Sequence, residues 1–129
     1  FSGGHGAMGY ALPAAIGAYY ATGKPVACIC GDGAFQMNIQ ELATIKEYGL
    51  NILIFIINNS QYGIIRQHEV NKYDMEPYQT DLKNPDFVKV AEAYGLKAKR
   101  AEKLEDLQDV DDYDIVDVAV RFEDIPLPK

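Results

Sequence analysis

The chain alternates between short apolar runs and amphipathic stretches, separated by glycine and proline. Residues 1–10 are rich in glycine (Gly3, Gly4, Gly6, Gly9) and read as a loop able to approach a ligand closely. Ala11–Thr22 has a helix-forming composition, with Pro13 tolerated in the first turn. Gly23-Lys24-Pro25 turns the chain, and residues 26–30 form a short apolar run suited to a buried strand. Residues 38–48 predict a helix with Ile39, Leu42, Ala43 and Ile45 on one face and Gly49 as its cap. Residues 52–57 are continuously apolar and β-branched, as in a central parallel strand. Residues 60–84 are polar, tyrosine-rich and irregular, which predicts a long active-site loop. A helix then runs from Asn84-Pro85 to Tyr94, closed by Gly95. Residues 96–101 and 115–121 predict two more strands, and Ile125-Pro126-Leu127-Pro128 an extended tail.

Alternating strands and helices predict one α/β domain over residues 1–129, a three-layer α/β/α sandwich with a mostly parallel sheet. Strand 26–30, helix 38–48 and strand 52–57 form a βαβ unit whose right-handed crossover makes the strands parallel. Both strands then end on the same sheet edge, where open α/β sheets bind ligands. Asp32 follows the first strand and Asn59 the second. If the strands are neighbours, they lie roughly 4.8 Å apart.

Composition narrows the classes. The 129 residues are 48% apolar and 24% charged, as in a globular domain, and no apolar run is long enough to span a bilayer. The start has neither the basic nor the apolar region of a signal peptide, and its first residue is Phe, as in a piece of a longer polypeptide. The net charge of −7, with acidic excess over residues 102–117, argues against general nucleic-acid binding. An anionic ligand therefore needs a cation or backbone N–H groups to hold it. Cys28 and Cys30 fall on one face of a strand, poorly placed for a disulfide, and read as small buried hydrophobes in a reducing, cytoplasmic setting.

Mg²⁺ prefers hard oxygen ligands in an octahedron at about 2.0–2.1 Å, commonly a carboxylate or two plus phosphate oxygens. Asp32 offers the carboxylate, Asn59 an amide oxygen, and the loop beyond it a backbone carbonyl, that of Gln61. Gly31 and Gly33 let the backbone come close to phosphate, and the helix after Met37 can aim N–H groups at it.

Gly31-Asp32-Gly33, twenty-four residues (34–57) and Asn58-Asn59 together resemble the signature of thiamine-diphosphate enzymes. Ser2-Gly3-Gly4-His5-Gly6-Ala7-Met8-Gly9-Tyr10, Leu12-Pro13-Ala14-Ala15-Ile16-Gly17-Ala18, Phe35-Gln36-Met37, Gln40-Glu41-Leu42 and Asn84-Pro85-Asp86-Phe87 resemble the acetolactate synthase group. The resemblance implies that Asp32, Asn59 and the Gln61 carbonyl hold Mg²⁺ and that the Gly33 and Ala34 amides touch the diphosphate. It implies that Met37 is an apolar prop bending the cofactor, and that backbone around Gly6 and Met8 contacts the aminopyrimidine ring. His5 stands where relatives usually carry an apolar residue and is a candidate cofactor or substrate contact.

The reaction so implied is the cofactor's: attack on a 2-oxo acid, loss of CO₂, and decarboxylation or carboligation with the ring as electron sink. In this family a glutamate from a separate pyrimidine-binding domain activates the cofactor. Glu41 and Glu47, on the helix between the metal residues, are not placed for that role. The resemblance thus implies no activating residue in this chain, and a partner domain or subunit in an oligomer. A simple 2-oxo acid decarboxylase carries the same signature, and a cofactor-binding module without turnover is the alternative from another class.

Relatives commonly have tryptophan where His68 stands, and this chain has no Trp, which bears on the acceptor substrate. Arg66 is a candidate for a substrate carboxylate or an exposed charge, and Tyr62, Tyr73 and Tyr78 read as loop or interface packing. Gly4-His5-Gly6-Ala7-Met8-Gly9 spells G-x-G-x-x-G, but only three residues precede it and no acidic residue follows at the ribose-binding distance, so it is not a dinucleotide fingerprint.

Overall fold

The computed structural model describes residues 2–121. Its elements in chain order are α1 (Ala11–Thr22), β1 (Val26–Gly31), α2 (Asp32–Gln36), α3 (Glu41–Tyr48), β2 (Ile52–Asn58), α4 (Gly63–Tyr73), α5 (Phe87–Ala93), β3 (Ala98–Ala101) and β4 (Ile115–Ala119). Two 3-10 turns, Leu104–Leu107 and Val110–Asp112, connect β3 to β4. The four strands form one sheet in the order β1-β2-β4-β3, and every pairing is parallel. The α/β architecture and the parallel sheet agree with the sequence pattern.

Local chemistry sets the boundaries. Gly23 (φ 63°) and Gly49 (φ 58°) end α1 and α3 in the left-handed region, where a glycine carries no Cβ penalty. The Asp86 carboxylate opens α5 by accepting from the Val88 and Lys89 N–H groups at 3.1 and 3.2 Å. Along β2 the burial alternates, so Ile52, Ile54, Ile56 and Asn58 share the covered face. That face joins Leu12 and Ala15 of α1, Phe35 of α2, Leu42 and Ile45 of α3, and Phe87 and Ala91 of α5 in a single core. Cys28 and Cys30 lie in this core as free thiols; the hydrogen bond between them, reinforced by burial, pushes the Cys30 thiol up. The other face of β1 is bare at Ile29, which is 67% exposed, and among the described residues no strand pairs with its outer side.

Several elements differ from the expectation. A short helix not expected there, α2, begins at Asp32 directly after β1, with Gly31 as N-cap. The helix expected over 38–48 starts at Glu41, because residues 38–43 first make tighter i→i+3 bonds, such as Glu41 N–H to the Asn38 carbonyl at 3.0 Å. Ala43, expected on its buried face, is exposed. The supposed irregular segment 60–84 contains α4, which hid from the pattern because Ile64, Ile65 and Val70 stay exposed while Gln67 is buried. Helix α5 starts at Phe87 rather than beside Pro85, and β4 stops at Ala119. The tail 125–128 lies outside the described residues.

The rings of Phe35 and Phe87 meet edge to face with centroids 5.5 Å apart, tying α2 to the start of α5. Each ring is almost wholly buried. Phe87→Ala is expected to lower unfolding stability by about 3–5 kcal/mol, the usual cost of an emptied aromatic site. Urea denaturation of the variant measures it, and an unchanged midpoint would contradict this docking of α2 on α5.

Candidate functional site

β1 and β2 are adjacent, and Gly31 sits opposite Ile57. Asp32 and Asn58 therefore leave the sheet edge at one level, with Asn59 a residue further on. Pleat alternation separates the two asparagines: Asn58 is buried and Asn59 half-buried. Asn59, Gln61 and Asp32 line one cleft of about 350 Å³ with Met8, Gly31, Gly33 and Ala34, and its wall is completed by Ile57, Tyr62, Gly63, Ile64 and Ile65. Seven of the ten residues singled out from the sequence thus meet in one place.

The loop that carries Asn59 and Gln61 is held in an unusual conformation. Ser60 has φ 56°, a region non-glycine residues seldom enter. Its N–H donates to Asp32 Oδ2 at 2.9 Å and to Asn58 Oδ1 at 3.2 Å. On either side, Leu82 N–H donates to the Ser60 carbonyl and Tyr62 N–H to the Thr80 carbonyl, both at 2.8 Å, a short antiparallel bridge of 60–62 with 80–82. Gln61 is turned away from that bridge: its N–H bonds Asn59 Oδ1 at 3.0 Å, and no described backbone N–H reaches its carbonyl. Gln61 Nε2 bonds Asp81 at 3.0 Å, whereas its Oε1 is buried with no donor among the described residues.

Asp32 is 2% exposed. Both hydrogen bonds to its carboxylate land on Oδ2, from Ser60 N–H and from Asn84 Nδ2 at 2.6 Å, and among the described residues none lands on Oδ1. A buried carboxylate that lines a cleft with one oxygen satisfied and the other without a donor is suited to binding a hard cation. Gly33 is placed so that an added Cβ would meet Tyr62 Cε1 at 2.6 Å, so only glycine lets backbone and ring pack this closely.

The remaining candidates lie nearby or elsewhere. Gly6 lines an adjoining cleft along α1 and β1, which shares Ala34 with the first. Met37 caps the C-terminus of α2, 50% exposed, rather than starting a helix, and Gly9 packs against it, with the Gly9 carbonyl accepting from Asn38 Nδ2 at 2.7 Å. The N–H groups expected from a helix after Met37 are therefore not there; α2, which starts at Asp32, takes that place. His5 is exposed and lines neither cleft. Arg66 and His68 are on α4 outside the cleft, while Ile64 and Ile65 of the same helix enter it.

The sequence reading missed the polar groups behind the cleft. Asn84 was visible only as a helix-start residue, and Asp117 only as part of an acidic stretch. Asp117, 3% exposed, accepts from Asn58 Nδ2 at 2.9 Å and pairs with Arg100 Nη1 at 2.7 Å. A charged residue inside an otherwise apolar strand (Ile115-Val116-Asp117-Val118) was the one signal that could have flagged it.

Residues 1–112 match the family model described as "Thiamine pyrophosphate enzyme, C-terminal TPP binding domain". The acetolactate synthase large subunit of Cyanidium caldarium is 48% identical over 102 residues, covering 77% of this chain and 17% of that protein. The acetolactate synthase of Arthrospira platensis is 46% identical over 100 residues, 75% of this chain and 17% of that protein. Among solved structures, the thiamine diphosphate-dependent 4-hydroxybenzoylformate decarboxylase of Rhodococcus jostii RHA1 superposes with a TM-score of 0.77 at 30% identity, over 88% of this chain and 23% of that one. The chain thus spans under a quarter of the length of these relatives. With a parallel sheet whose Gly-Asp-Gly and Asn-Asn segments meet in one cleft, and a family match over most of its length, the chain belongs to the C-terminal thiamine-diphosphate-binding domains of the thiamine-diphosphate enzymes.

Proposed function

We propose that this chain is the diphosphate- and Mg²⁺-binding half of a thiamine-diphosphate site in an acetolactate-synthase-like enzyme acting on 2-oxo acids. The observation that carries the reading is the donor set of three residues that line one cleft: Asp32 Oδ1 and the Gln61 carbonyl, neither with a hydrogen-bond donor among the described residues, and the Asn59 amide. These are three oxygens of the hard type that Mg²⁺ takes, with room for phosphate oxygens in the remaining positions. The residues therefore fit the cation. Gly31, Gly33 and Ala34 bring backbone to the same cleft for the diphosphate. Backbone around Gly6 and Met8 contacts the aminopyrimidine, and Met37, lying against Gly9, serves as the apolar prop.

When bound, thiamine diphosphate supplies a carbon nucleophile and an electron sink for decarboxylation or carboligation of a 2-oxo acid. The chain's own part is to bind, orient and exclude water. Asp32 is the only carboxylate among the described residues lining the cleft. Glu41 is engaged elsewhere, accepting from Thr44 Oγ1 at 3.0 Å. This supports a partner domain or subunit, pyrimidine-binding, that supplies the activating glutamate in a homo- or hetero-oligomer. The exposed apolar residues that line the cleft, Met8, Ile57, Ile64 and Ile65, support a second surface closing over it. A cytoplasmic location suits the reduced thiols of Cys28 and Cys30.

The likeness to a 4-hydroxybenzoylformate decarboxylase favours a second reading, a simple 2-oxo acid decarboxylase. Supplying pyruvate to the assembled enzyme and identifying the product separates them: a carboligation product supports the first, an aldehyde the second. No consumption of any 2-oxo acid would leave a cofactor-binding module.

Two substitutions test the site. Asp32→Asn is expected to weaken thiamine-diphosphate binding in a Mg²⁺-dependent manner by about 10- to 100-fold, the scale of losses when a metal site is disturbed. Calorimetry across a Mg²⁺ series measures this, and binding as tight as the parent's would refute the metal assignment. Gly33→Ala is expected to push the Tyr62 ring into the cleft and reduce affinity at every Mg²⁺ concentration. Unaltered affinity in that variant would mean that the diphosphate does not lie along this backbone.

A further inference from the structure

Behind the cleft a chain of side-chain hydrogen bonds runs from α2 to β3. Asn84, in the segment leading into α5, stands at its centre. Its Nδ2 donates to Asp32 Oδ2 at 2.6 Å and to Asn58 Oδ1 at 3.0 Å, and its Oδ1 accepts from Gln36 Nε2 at 2.8 Å. Both amide hydrogens and the amide oxygen are thus committed, and a flipped amide would set oxygen against two acceptors. Asn58 is fixed in turn, since its Nδ2 donates to the buried Asp117 carboxylate, which Arg100 neutralises. The orientation of Asn84 is therefore imposed from three sides, by Gln36, Asn58 and Asp32.

We propose that Asn84 is the positioning residue that commits Asp32 to binding its cation through one oxygen, and so biases the site toward Mg²⁺ over Ca²⁺. The inference rests on the metal reading given above and deepens it. Ca²⁺ accepts carboxylates through one oxygen or two, at about 2.3–2.6 Å, whereas Mg²⁺ demands a tight octahedron of single-oxygen contacts at about 2.0–2.1 Å. With both lone-pair directions of Oδ2 taken, by Ser60 N–H and by Asn84 Nδ2, two-oxygen binding would require one of these bonds to break. Removing Asn84 leaves only the Ser60 bond and lets the carboxylate rotate. Mg²⁺ loses a pre-aimed ligand, while Ca²⁺ gains access to a second oxygen. Outer partners of this kind are commonly worth 10- to 100-fold in metal affinity.

The test is Asn84→Ala in the assembled enzyme, with thiamine-diphosphate affinity measured calorimetrically across separate Mg²⁺ and Ca²⁺ series. Mg²⁺-supported affinity is expected to fall about 10- to 100-fold, with a smaller fall for Ca²⁺, so the ratio between the ions shrinks. A role confined to stabilising the loop would depress both ions equally and leave that ratio unmoved; equal losses, or no loss, overturn the proposal. Asp32→Asn in parallel keeps the two claims apart. If it abolishes the metal dependence while Asn84→Ala changes nothing, only the positioning role falls; if it also changes nothing, the metal reading falls. Should Asn84→Ala fail to fold, Gln36→Ala releases the same amide from its other end. It is expected to move the ratio in the same direction by a smaller factor, and an unmoved ratio there also overturns the proposal.

Discussion

The parallel pairing of β1 with β2, in the register that sets Gly31 against Ile57, is the constraint from which the site follows. It brings two segments separated by the whole of α2 and α3 to one height on one sheet edge. Because side chains alternate along a strand, the same register decides that Asn58 turns into the protein and Asn59 toward the cleft. A slip of one residue would exchange them, turning the bracing amide of Asn58 outward and that of Asn59 into the core. Such a slip would also move Ile52, Ile54 and Ile56, the apolar centre of the sheet, off the covered face. The apolar pattern that stabilises the sheet thus also aims the polar residues beyond it.

Placing a carboxylate such as Asp32 at 2% exposure is costly unless its lone pairs are satisfied. The polar groups around it do this in layers. Ser60 and Asn84 serve one oxygen of Asp32, Asn58 serves both of them, and the buried Asp117 serves Asn58. Asp117 is itself balanced by Arg100, whose guanidinium is raised above its ordinary value first by its bond to Glu102 and then by the Asp117 charge. The apolar contribution comes from Phe35 and Phe87, whose edge-to-face contact clamps the elements that directly follow Asp32 and Asn84. Packing and polar satisfaction converge on the same two residues.

The strands and the glycine-closed helices were legible in the sequence because each is determined within a few residues: a β-branched run such as 52–57, or a glycine in the left-handed cap at 23 and 49. The pairing of Asp32 with Asn59 was legible because a βαβ unit has a single favoured handedness. Helix α4 was not, since its apolar residues answer to something other than this chain's core, and helical periodicity reports only burial. The role of Asn84 was hidden for a different reason. It meets Asp32 across 52 residues, through a close fit of α5 on α2 that no local pattern encodes. The displaced start of α3 likewise came from tight turns after Met37, where the residues favour a helix and the path of the backbone does not allow one.

The exposed residues of α4 and of the glycine loop connect these observations. Ile64 and Ile65 line the cleft at 43% and 48% exposure, and Met8, which also lines it, is similarly open. On the proposed reading, an apolar rim around a hard-cation site is poorly suited to open water, where a charged intermediate would be quenched by solvent. Asp32 is held by two donors on one oxygen and, on the proposed reading, gives the other to the cation. On the proposed reading, then, the two capacities the cleft lacks, a dry cover and an acid–base carboxylate, are needed at the same place. A single partner surface carrying a glutamate within an apolar border would supply both, and the unburied side chains of α4 are positioned to receive it.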